Sequence, residues 1–173
     1  MIFVGGVHGV GKSHFCSLAK ERFGISAYSS GILIASYSKS NYLPDKKVED
    51  VARNQNILKL ALQDIERIEK CYLLDGHFCL YNKSGEIEEI ASAVYEELRP
   101  QAILILTALP SVLYERLSSR DGIKYSLDGL EDFQKHEIHY ARQIASNLGV
   151  PIGVFSDMEE CLEFVESQLT VKY

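Results

Sequence analysis

Residues 6–13 read GVHGVGKS, and this stretch decides the fold because it matches the phosphate-loop pattern G-x-x-x-x-G-K-[ST] at each fixed position. The apolar run MIFVG occupies residues 1–5 directly before it. A helical pattern covers residues 12–23 and ends at Gly24. A strand, a glycine loop and a helix in this order predict a phosphate-binding loop, whereas a glycine-rich turn with an incidental Lys-Ser pair would not need this context.

Each part of the loop has a chemical purpose. Its glycines allow positive φ and a close approach of the backbone to an anion, successive N–H groups form a cradle, and the following helix adds its positive end. Lys12 can reach the terminal phosphates of ATP, and the Ser13 hydroxyl is a hard oxygen ligand suited to Mg²⁺. The nucleotide-binding residues that we predict are Gly6, His8, Gly9, Val10, Gly11, Lys12, Ser13 and His14. For the two histidines, a solvent-exposed position beside the loop is the alternative.

Strand and helix patterns alternate five times along the chain. The predicted strands cover residues 1–5, 25–28, 71–74, 102–106 and 152–155, and the predicted helices cover 12–23, 30–37, 46–70, 89–98, 110–119, 130–148 and 158–169. The strand AILIL at 102–106 lacks polar alternation, so both of its faces should be buried, as in a parallel sheet. The pattern predicts a three-layer α/β/α fold with a five-stranded, mostly parallel sheet. The chain has 173 residues, a length that fits a single domain.

Composition excludes several classes of function. Hydrophobic residues make up 46% of the chain and charged residues 24%, as in soluble globular proteins. A net charge of −6 argues against a nucleic-acid partner, and no apolar run approaches the roughly 18 to 20 residues of a membrane span. No basic segment precedes an apolar stretch, so we expect a cytoplasmic protein without a signal peptide. The four cysteines form no Cys-x-x-Cys pair and are predicted to be buried, apolar residues.

A second acidic group follows the third predicted strand. Asp75 comes directly after the apolar run CYLL, at the carboxyl end of a strand, where ligands bind in such sheets. Phosphate-loop enzymes use an acidic residue there, so Asp75 is predicted to share Mg²⁺ with Ser13. A turn aspartate at the end of a strand is the alternative. His77 either contacts the substrate or packs on Phe78 as a structural histidine.

Two arginines are candidates for charge neutralisation. Arg116 and Arg120 lie one helical turn apart, where the predicted helix 110–119 enters a polar segment at 120–129. Phosphoryl transfer depends on positioning and on cations near the transferred group, often delivered by a closing segment. We therefore predict a short lid at about 119–129 that carries both arginines. The alternative is a pair of solvated cations stabilised by the helix dipole.

Three stretches together resemble the nucleoside monophosphate kinases, most closely the adenylate-kinase-like branch of archaea and eukaryotic nuclei. They are GVHGVGKS at 6–13, LDGH at 74–77 and LYERLSSR at 113–120. The resemblance implies ATP and Mg²⁺, a five-stranded core, lid arginines, and an acceptor site built from helices at about 30–70. By position, Ser29, Ser30 and Gly31 correspond to the Ser-Thr-Gly segment of ordinary adenylate kinases.

The acceptor side departs from ordinary adenylate kinases at two places. Ala35 stands where they carry an arginine, and DGHFC at 75–79 lacks the proline and arginine of their Asp-Gly-Phe-Pro-Arg segment. Lys46, Lys47 or Arg53 could replace the missing cations, although each also fits a solvated helix charge. The acceptor could therefore be an unusual nucleotide, or a compound that is not a monophosphate.

The leading hypothesis is an ATP- and Mg²⁺-dependent phosphotransferase that acts on a nucleoside monophosphate. Its predicted catalytic residues are Lys12, Asp75, Arg116 and Arg120, and its predicted substrate-binding residues are Ser29, Ser30, Gly31, Lys47, Arg53 and His77. The first alternative is a kinase of a nucleoside or small hydroxyl metabolite, in which Asp75 becomes the general base. The second is a weak ATPase or ATP-binding switch that acts on a macromolecular partner such as a protein. By position, the loop at Ser156 and Asp157 is predicted to border the adenine.

Overall fold

The computed structural model describes residues 1–40 and 51–170, which contain seven strands and seven helices. The strands are β1 (Ile2–Gly5), β2 (Ser26–Ser29), β3 (Tyr72–Asp75), β4 (Cys79–Tyr81), β5 (Ile87–Glu89), β6 (Ala102–Leu106) and β7 (Ile152–Phe155). The helices are α1 (Lys12–Phe23), α2 (Ser30–Ser40), α3 (Val51–Glu66), α4 (Ser92–Leu98), α5 (Pro110–Asp121), α6 (Leu127–Leu148) and α7 (Met158–Thr170).

Five strands form one parallel sheet in the order β2-β3-β1-β6-β7. Every residue of β1 and β6 is buried. Because successive side chains of a strand point to opposite faces, this burial means that both faces of the sheet centre are covered. The predicted α/β fold with a five-stranded sheet is confirmed, and the carboxyl ends of all five strands meet at one edge.

The helix ends follow local sequence signals. Gly24 ends α1 in the left-handed conformation at φ 67°, and its N–H donates to the Lys20 carbonyl. Pro110 lies in the first turn of α5, where its missing N–H costs no hydrogen bond. The Ser126 hydroxyl caps α6 by accepting a hydrogen bond from the Gly129 N–H.

A small hairpin replaces part of the predicted helix 89–98, so that prediction was wrong at its start. Strands β4 and β5 pair antiparallel, with Cys79 opposite Glu89. In the turn between them, the Asn82 Oδ1 atom accepts hydrogen bonds from the N–H groups of Ser84 and Glu86, each at 2.9 Å. Pairing between the strands overrides the helical pattern, and α4 begins at Ser92.

The segment between α5 and α6 is shorter than predicted. It covers residues 122–126, whereas the sequence pattern indicated a polar loop over 120–129. Residues 127–129 are helical because the Ser126 cap begins α6 before them, despite the glycine at 129.

Of the predicted helix 46–70, α3 accounts for Val51–Glu66. Lys46 and Lys47 lie outside the described residues.

Three of the four cysteines are buried as predicted, and all four are free thiols. Cys71 is the exception, because it lies only partly covered directly before β3. Of the helices in residues 1–40 and 51–170, none combines the length and the apolar composition that crossing a membrane requires.

Candidate active site

The loop 6–13 connects β1 to α1 at the carboxyl edge of the sheet. Gly6, Gly9 and Gly11 have φ of 132°, 79° and 110°, a region that side chains disfavour. A Cβ atom on Gly6 would also lie 2.5 Å from the Leu106 carbonyl oxygen. No side chain caps the start of α1, so its first N–H groups form the donor set of an anion site. The predicted context of strand, loop and helix is confirmed.

Lys12 is buried inside this loop, with 7% of its surface exposed. Its ammonium group donates hydrogen bonds to the carbonyls of Gly6 and Val7 and, at 3.2 Å, to Nε2 of His77. Burial lowers the pKa of Lys12, while the carboxylates of Asp75 and Glu137 raise it. The Lys12 ammonium group therefore lies between its own loop and the segment after β3.

The two histidines next to Lys12 lie side by side. The ring centroids of His8 and His77 are 4.2 Å apart. Burial, together with the charges of Lys12 and His8, lowers the pKa of His77 to about 2. The imidazole of His77 is therefore neutral and accepts the Lys12 hydrogen bond at Nε2, which places its proton on Nδ1. His8 and His14 are exposed, as in the alternative considered for both.

Asp75 ends β3 and faces the same edge. Its register partners are Val4 on β1 and Ser29 on β2. Burial raises the pKa of the Asp75 carboxyl group, and the Lys12 charge opposes this shift. A Cβ atom on the next residue, Gly76, would lie 3.2 Å from the Ser30 hydroxyl. The structure therefore brings Lys12, Asp75, Ser29 and Ser30 to one edge of the sheet.

The hard oxygen atoms at this edge fit a magnesium ion that also binds phosphate. Ser13 is exposed in the first turn of α1, and Asp75 supplies a carboxylate. Within residues 1–40 and 51–170, no three or more His, Cys, Asp or Glu side chains gather in a group that could hold a metal ion. A small oxygen set suits Mg²⁺, which binds proteins through one or two side chains and completes its shell with phosphate and water.

The two predicted lid arginines make different contacts. Arg116 donates two hydrogen bonds of 3.1 Å to the carbonyls of Gly9 and Val10, so it already lies on the phosphate loop. Arg120 donates to both carboxylate oxygens of Asp121, at 2.6 and 2.8 Å. The Tyr125 hydroxyl donates to the same carboxylate. Arg120 lies near the loop as well, because its charge helps to lower the pKa of His8.

Glu137 is a site residue that sequence reasoning missed. Its side chain is fully buried. Oε1 accepts hydrogen bonds from the N–H groups of Gly6, at 3.1 Å, and Phe78, at 3.0 Å, while Oε2 accepts from Cys79 at 2.7 Å. The signal was its position: α6 buries Leu130, Phe133, Ala141 and Ile144 on one stripe, and a glutamate in that stripe is an anomaly.

The remaining predicted residues contribute less to the described geometry. Lys47 lies outside the described residues, and Arg53 belongs to α3 without a described side chain. Gly31 is exposed in α2. Asp157 caps α7, because its Oδ1 atom accepts hydrogen bonds from the N–H groups at 159 and 160. The next residue, Met158, lies 3.3 Å from where a Cβ on Gly11 would be, so this segment does border the phosphate loop.

Comparison with known sequences identifies a family and a relative. The sequence profile of the AAA domain matches residues 5–134, which is most of the chain. The adenylate kinase of Mycoplasmopsis pulmonis (strain UAB CTIP) is 28% identical over 124 residues, which cover 66% of this chain. The aligned region spans 56% of that relative's length.

Comparison with solved structures identifies the fold. Shikimate kinase from Acinetobacter baumannii, solved with shikimate, superposes with a TM-score of 0.59 at 15% identity and covers 99% of this chain and 93% of its own. A gluconokinase from Sinorhizobium meliloti 1021 gives a TM-score of 0.52 at 17% identity, over 98% and 91% of the two chains. At these identities the likeness is one of fold, the fold of phosphate-loop kinases.

Proposed function

The chain belongs to the AAA domain family, and from this premise we propose that it is an ATP- and Mg²⁺-dependent phosphotransferase acting on a small-molecule acceptor. The observation that carries the proposal is the buried ammonium group of Lys12, held in a glycine cradle beside the Asp75 carboxylate. A buried cation is costly unless it has a partner. A nucleotide phosphate would give Lys12 an anionic partner in place of the neutral carbonyls of Gly6 and Val7.

The donor side is proposed to bind ATP through backbone N–H groups of the phosphate loop other than that of Gly6, which donates to Glu137. Lys12 exchanges its contacts with the Gly6 and Val7 carbonyls for phosphate oxygens. Ser13 and Asp75 would hold Mg²⁺, which, when bound, neutralises phosphate charge. Arg120 leaves Asp121 and adds positive charge at the transferred group. Arg116 fixes the loop through its contacts with the carbonyls of Gly9 and Val10.

For the acceptor, we propose a nucleoside monophosphate first. The likeness to an adenylate kinase supports a nucleotide. Ser29, Ser30 and Gly31 border the proposed acceptor site at the edge next to Asp75. Lys47 and Arg53 remain the proposed cations for its phosphate. No general base is needed, because a monophosphate is already anionic. The motifs at 74–77 and 113–120 support the proposal that the chain is related to the adenylate-kinase-like branch of archaea and eukaryotic nuclei.

The raised pKa of Asp75 favours a second candidate, a kinase of a hydroxyl metabolite. Burial raises the pKa of the Asp75 carboxyl group, and a carboxylate with a higher pKa is a stronger general base. A hydroxyl acceptor must lose its proton during transfer, and Asp75 could take it. The fold is also shared with a shikimate kinase and a gluconokinase, whose names state small hydroxy-acid substrates.

A panel of acceptors separates these candidates. ADP formation from Mg·ATP is measured alone and with nucleoside monophosphates, nucleosides and small hydroxy acids. Strong stimulation by a monophosphate supports the first candidate, and stimulation by an uncharged hydroxyl supports the second. Slow hydrolysis that no acceptor stimulates would overturn both, and would indicate an ATPase or switch with a protein partner.

A further inference from the structure

One fully buried carboxylate, that of Glu137, joins two separate segments of the site. Its three hydrogen-bond donors are backbone N–H groups, one from Gly6 in the phosphate loop and two from Phe78 and Cys79 after β3. The segment 76–79 directly follows Asp75 and includes His77. Glu137 itself lies in the middle of α6, so a third element is fixed to the same point.

The contacts favour an ionised carboxylate: burial raises the pKa of Glu137, and the three N–H donors oppose that shift. A neutral carboxyl group would have to place a proton on one oxygen, and both oxygens already face N–H donors. Charge-assisted hydrogen bonds of this kind are stronger than neutral ones. The glutamate therefore holds the two segments together more firmly than an amide of the same shape would.

The two segments adjoin the groups that the proposed phosphotransfer needs close together, Lys12 and Asp75. Lys12 bonds to the carbonyl of Gly6, the residue whose N–H binds Glu137. His77, which accepts from Lys12, precedes Phe78 directly. The Phe78 ring lies 2.8 Å from where a Cβ on Gly5 would be, so the segments touch with no spare space. A small displacement of either segment changes the position of Lys12 relative to Asp75.

We propose that Glu137 is a positioning residue that fixes the phosphate loop against the segment 76–79 and thereby sets the geometry between Lys12 and Asp75. This inference rests on the proposed phosphotransfer function. Glu137 touches no reacting atom in it, and acts through the backbone of Gly6 and of the segment 76–79.

Three variants test the role of Glu137. Glu137→Gln keeps the length of the side chain and one acceptor oxygen, but removes the charge and turns an NH₂ group toward a backbone N–H. Glu137→Asp keeps the charge and shortens the reach. Gln134→Leu is the matched control, because Gln134 ties the same helix to the N–H and carbonyl of Ala108, each at 3.0 Å.

Two readouts separate positioning from general stability. Steady-state kinetics give kcat and KM for Mg·ATP with the best acceptor. Amide resonances of Gly6, Phe78 and Cys79 are followed by NMR with and without the non-hydrolysable analogue Mg·AMP-PNP. In the wild type, the analogue should shift all three amides, because the carboxylate connects them. In Glu137→Gln, Phe78 and Cys79 should respond less than in the wild type, and kcat should fall by about 10- to 100-fold with KM changed less than about threefold.

The control and the second variant keep the result decisive. Gln134→Leu should lower Tm while kcat and the amide response stay as in the wild type. A wild-type kcat and amide response in Glu137→Gln would overturn the inference, as would an equal loss of kcat in Gln134→Leu. If Glu137→Gln does not fold, Glu137→Asp decides: a reduced kcat with a native spectrum supports positioning, and a wild-type kcat contradicts it.

The amide readout also separates this inference from the proposed function. If no acceptor yields ADP above slow hydrolysis, the proposed function fails. The coupled response of Gly6, Phe78 and Cys79 to Mg·AMP-PNP would still be present in the wild type and weaker in Glu137→Gln. If the wild type turns over normally and the response is uncoupled, the role of Glu137 fails alone.

Discussion

Among the described residues, the buried charged side chains are Lys12 and Glu137, and both belong to the candidate site. Burying a charge is expensive unless hydrogen bonds and an opposite charge compensate. Each raises or lowers the pKa of a neighbour: Lys12 acts on Asp75 and on Glu137, and both carboxylates act on Lys12. Both buried charges lie at the phosphate loop, where the proposed nucleotide would bind.

His77 should make stability depend on pH. Its folded-state pKa is lowered to about 2, against 6.5 for the unfolded chain, so below pH 6.5 the unfolded state binds more protons. The free energy of unfolding should therefore fall as the pH drops below 6.5, by about 2 kcal/mol from this residue between pH 6.5 and 5. Urea unfolding with a chelator and no nucleotide measures this for wild type and His77→Phe.

The comparison of the two proteins isolates the histidine. His77→Phe should lose less stability than the wild type over the same pH interval. Parallel curves for the two proteins would mean that His77 takes up a proton in the folded state, and would contradict the neutral imidazole that accepts from Lys12.

At the scale of single residues, the motif predicted the loop but not its neighbours. Each fixed position of residues 6–13 follows from the chemistry of phosphate binding, so Lys12 and Ser13 were predictable. Asp75 was predictable from its place after an apolar strand. Glu137 was not predicted, because its donors come from residues 131 and 59 positions away in the chain. The partners of Arg116 depend on tertiary contacts of the same kind.

At the scale of elements, α5 holds the most testable contact. Arg120 at its end pairs with Asp121 through both carboxylate oxygens, and Tyr125 from the following loop bonds to the same carboxylate. In this arrangement the Arg120 charge is not available to a nucleotide. If Arg120 neutralises a transferred phosphate, as proposed, it must first leave Asp121.

Asp121→Asn should release Arg120. Because exposed ion pairs are weak, the gain is small: KM for Mg·ATP should fall by about 2- to 5-fold, with kcat unchanged or higher. Steady-state kinetics check this at low ionic strength, where the competition is strongest. An increase in KM would mean instead that Asp121 orients Arg120 for binding.

Arg120→Ala should lower kcat by roughly 10²-fold if Arg120 neutralises charge in the transition state. The same acceptor assay measures this change. Arg67→Ala is the control, because Arg67 forms a comparable exposed pair with Asp64 on α3. An Arg120→Ala variant that lost thermal stability but kept kcat would make the residue structural.

Elements with strong local signals were predicted closely, and those set by long-range pairing were not. The strand AILIL was found at its predicted bounds, because its continuous burial is visible in the sequence. The hairpin of β4 and β5 was missed, since three-residue strands carry little pattern of their own. The loop between α5 and α6 was overestimated because Gly129 looked like a loop residue, although it lies in the first turn of α6.

At the scale of the whole molecule, the parallel sheet explains why distant residues share one site. Each strand delivers its carboxyl end to the same edge, so Gly6, Ser29 and Asp75 meet there from three strands. This outcome follows from the alternating pattern of strands and helices, and was predictable. The acceptor was not predictable, because the residues proposed to bind it after β2 and β3 lack the cations that the resemblance to adenylate kinases would imply.

The most direct test of the phosphotransferase account compares wild type with Lys12→Ala. ADP formation from Mg·ATP is measured with the acceptor that the panel identifies, and Lys20→Ala, an exposed lysine on the same helix, is the control. Lys12→Ala should lose transfer by roughly 10³-fold or more while its circular dichroism spectrum stays native, and Lys20→Ala should keep wild-type activity. Unchanged ADP formation in a folded Lys12→Ala protein would contradict the account.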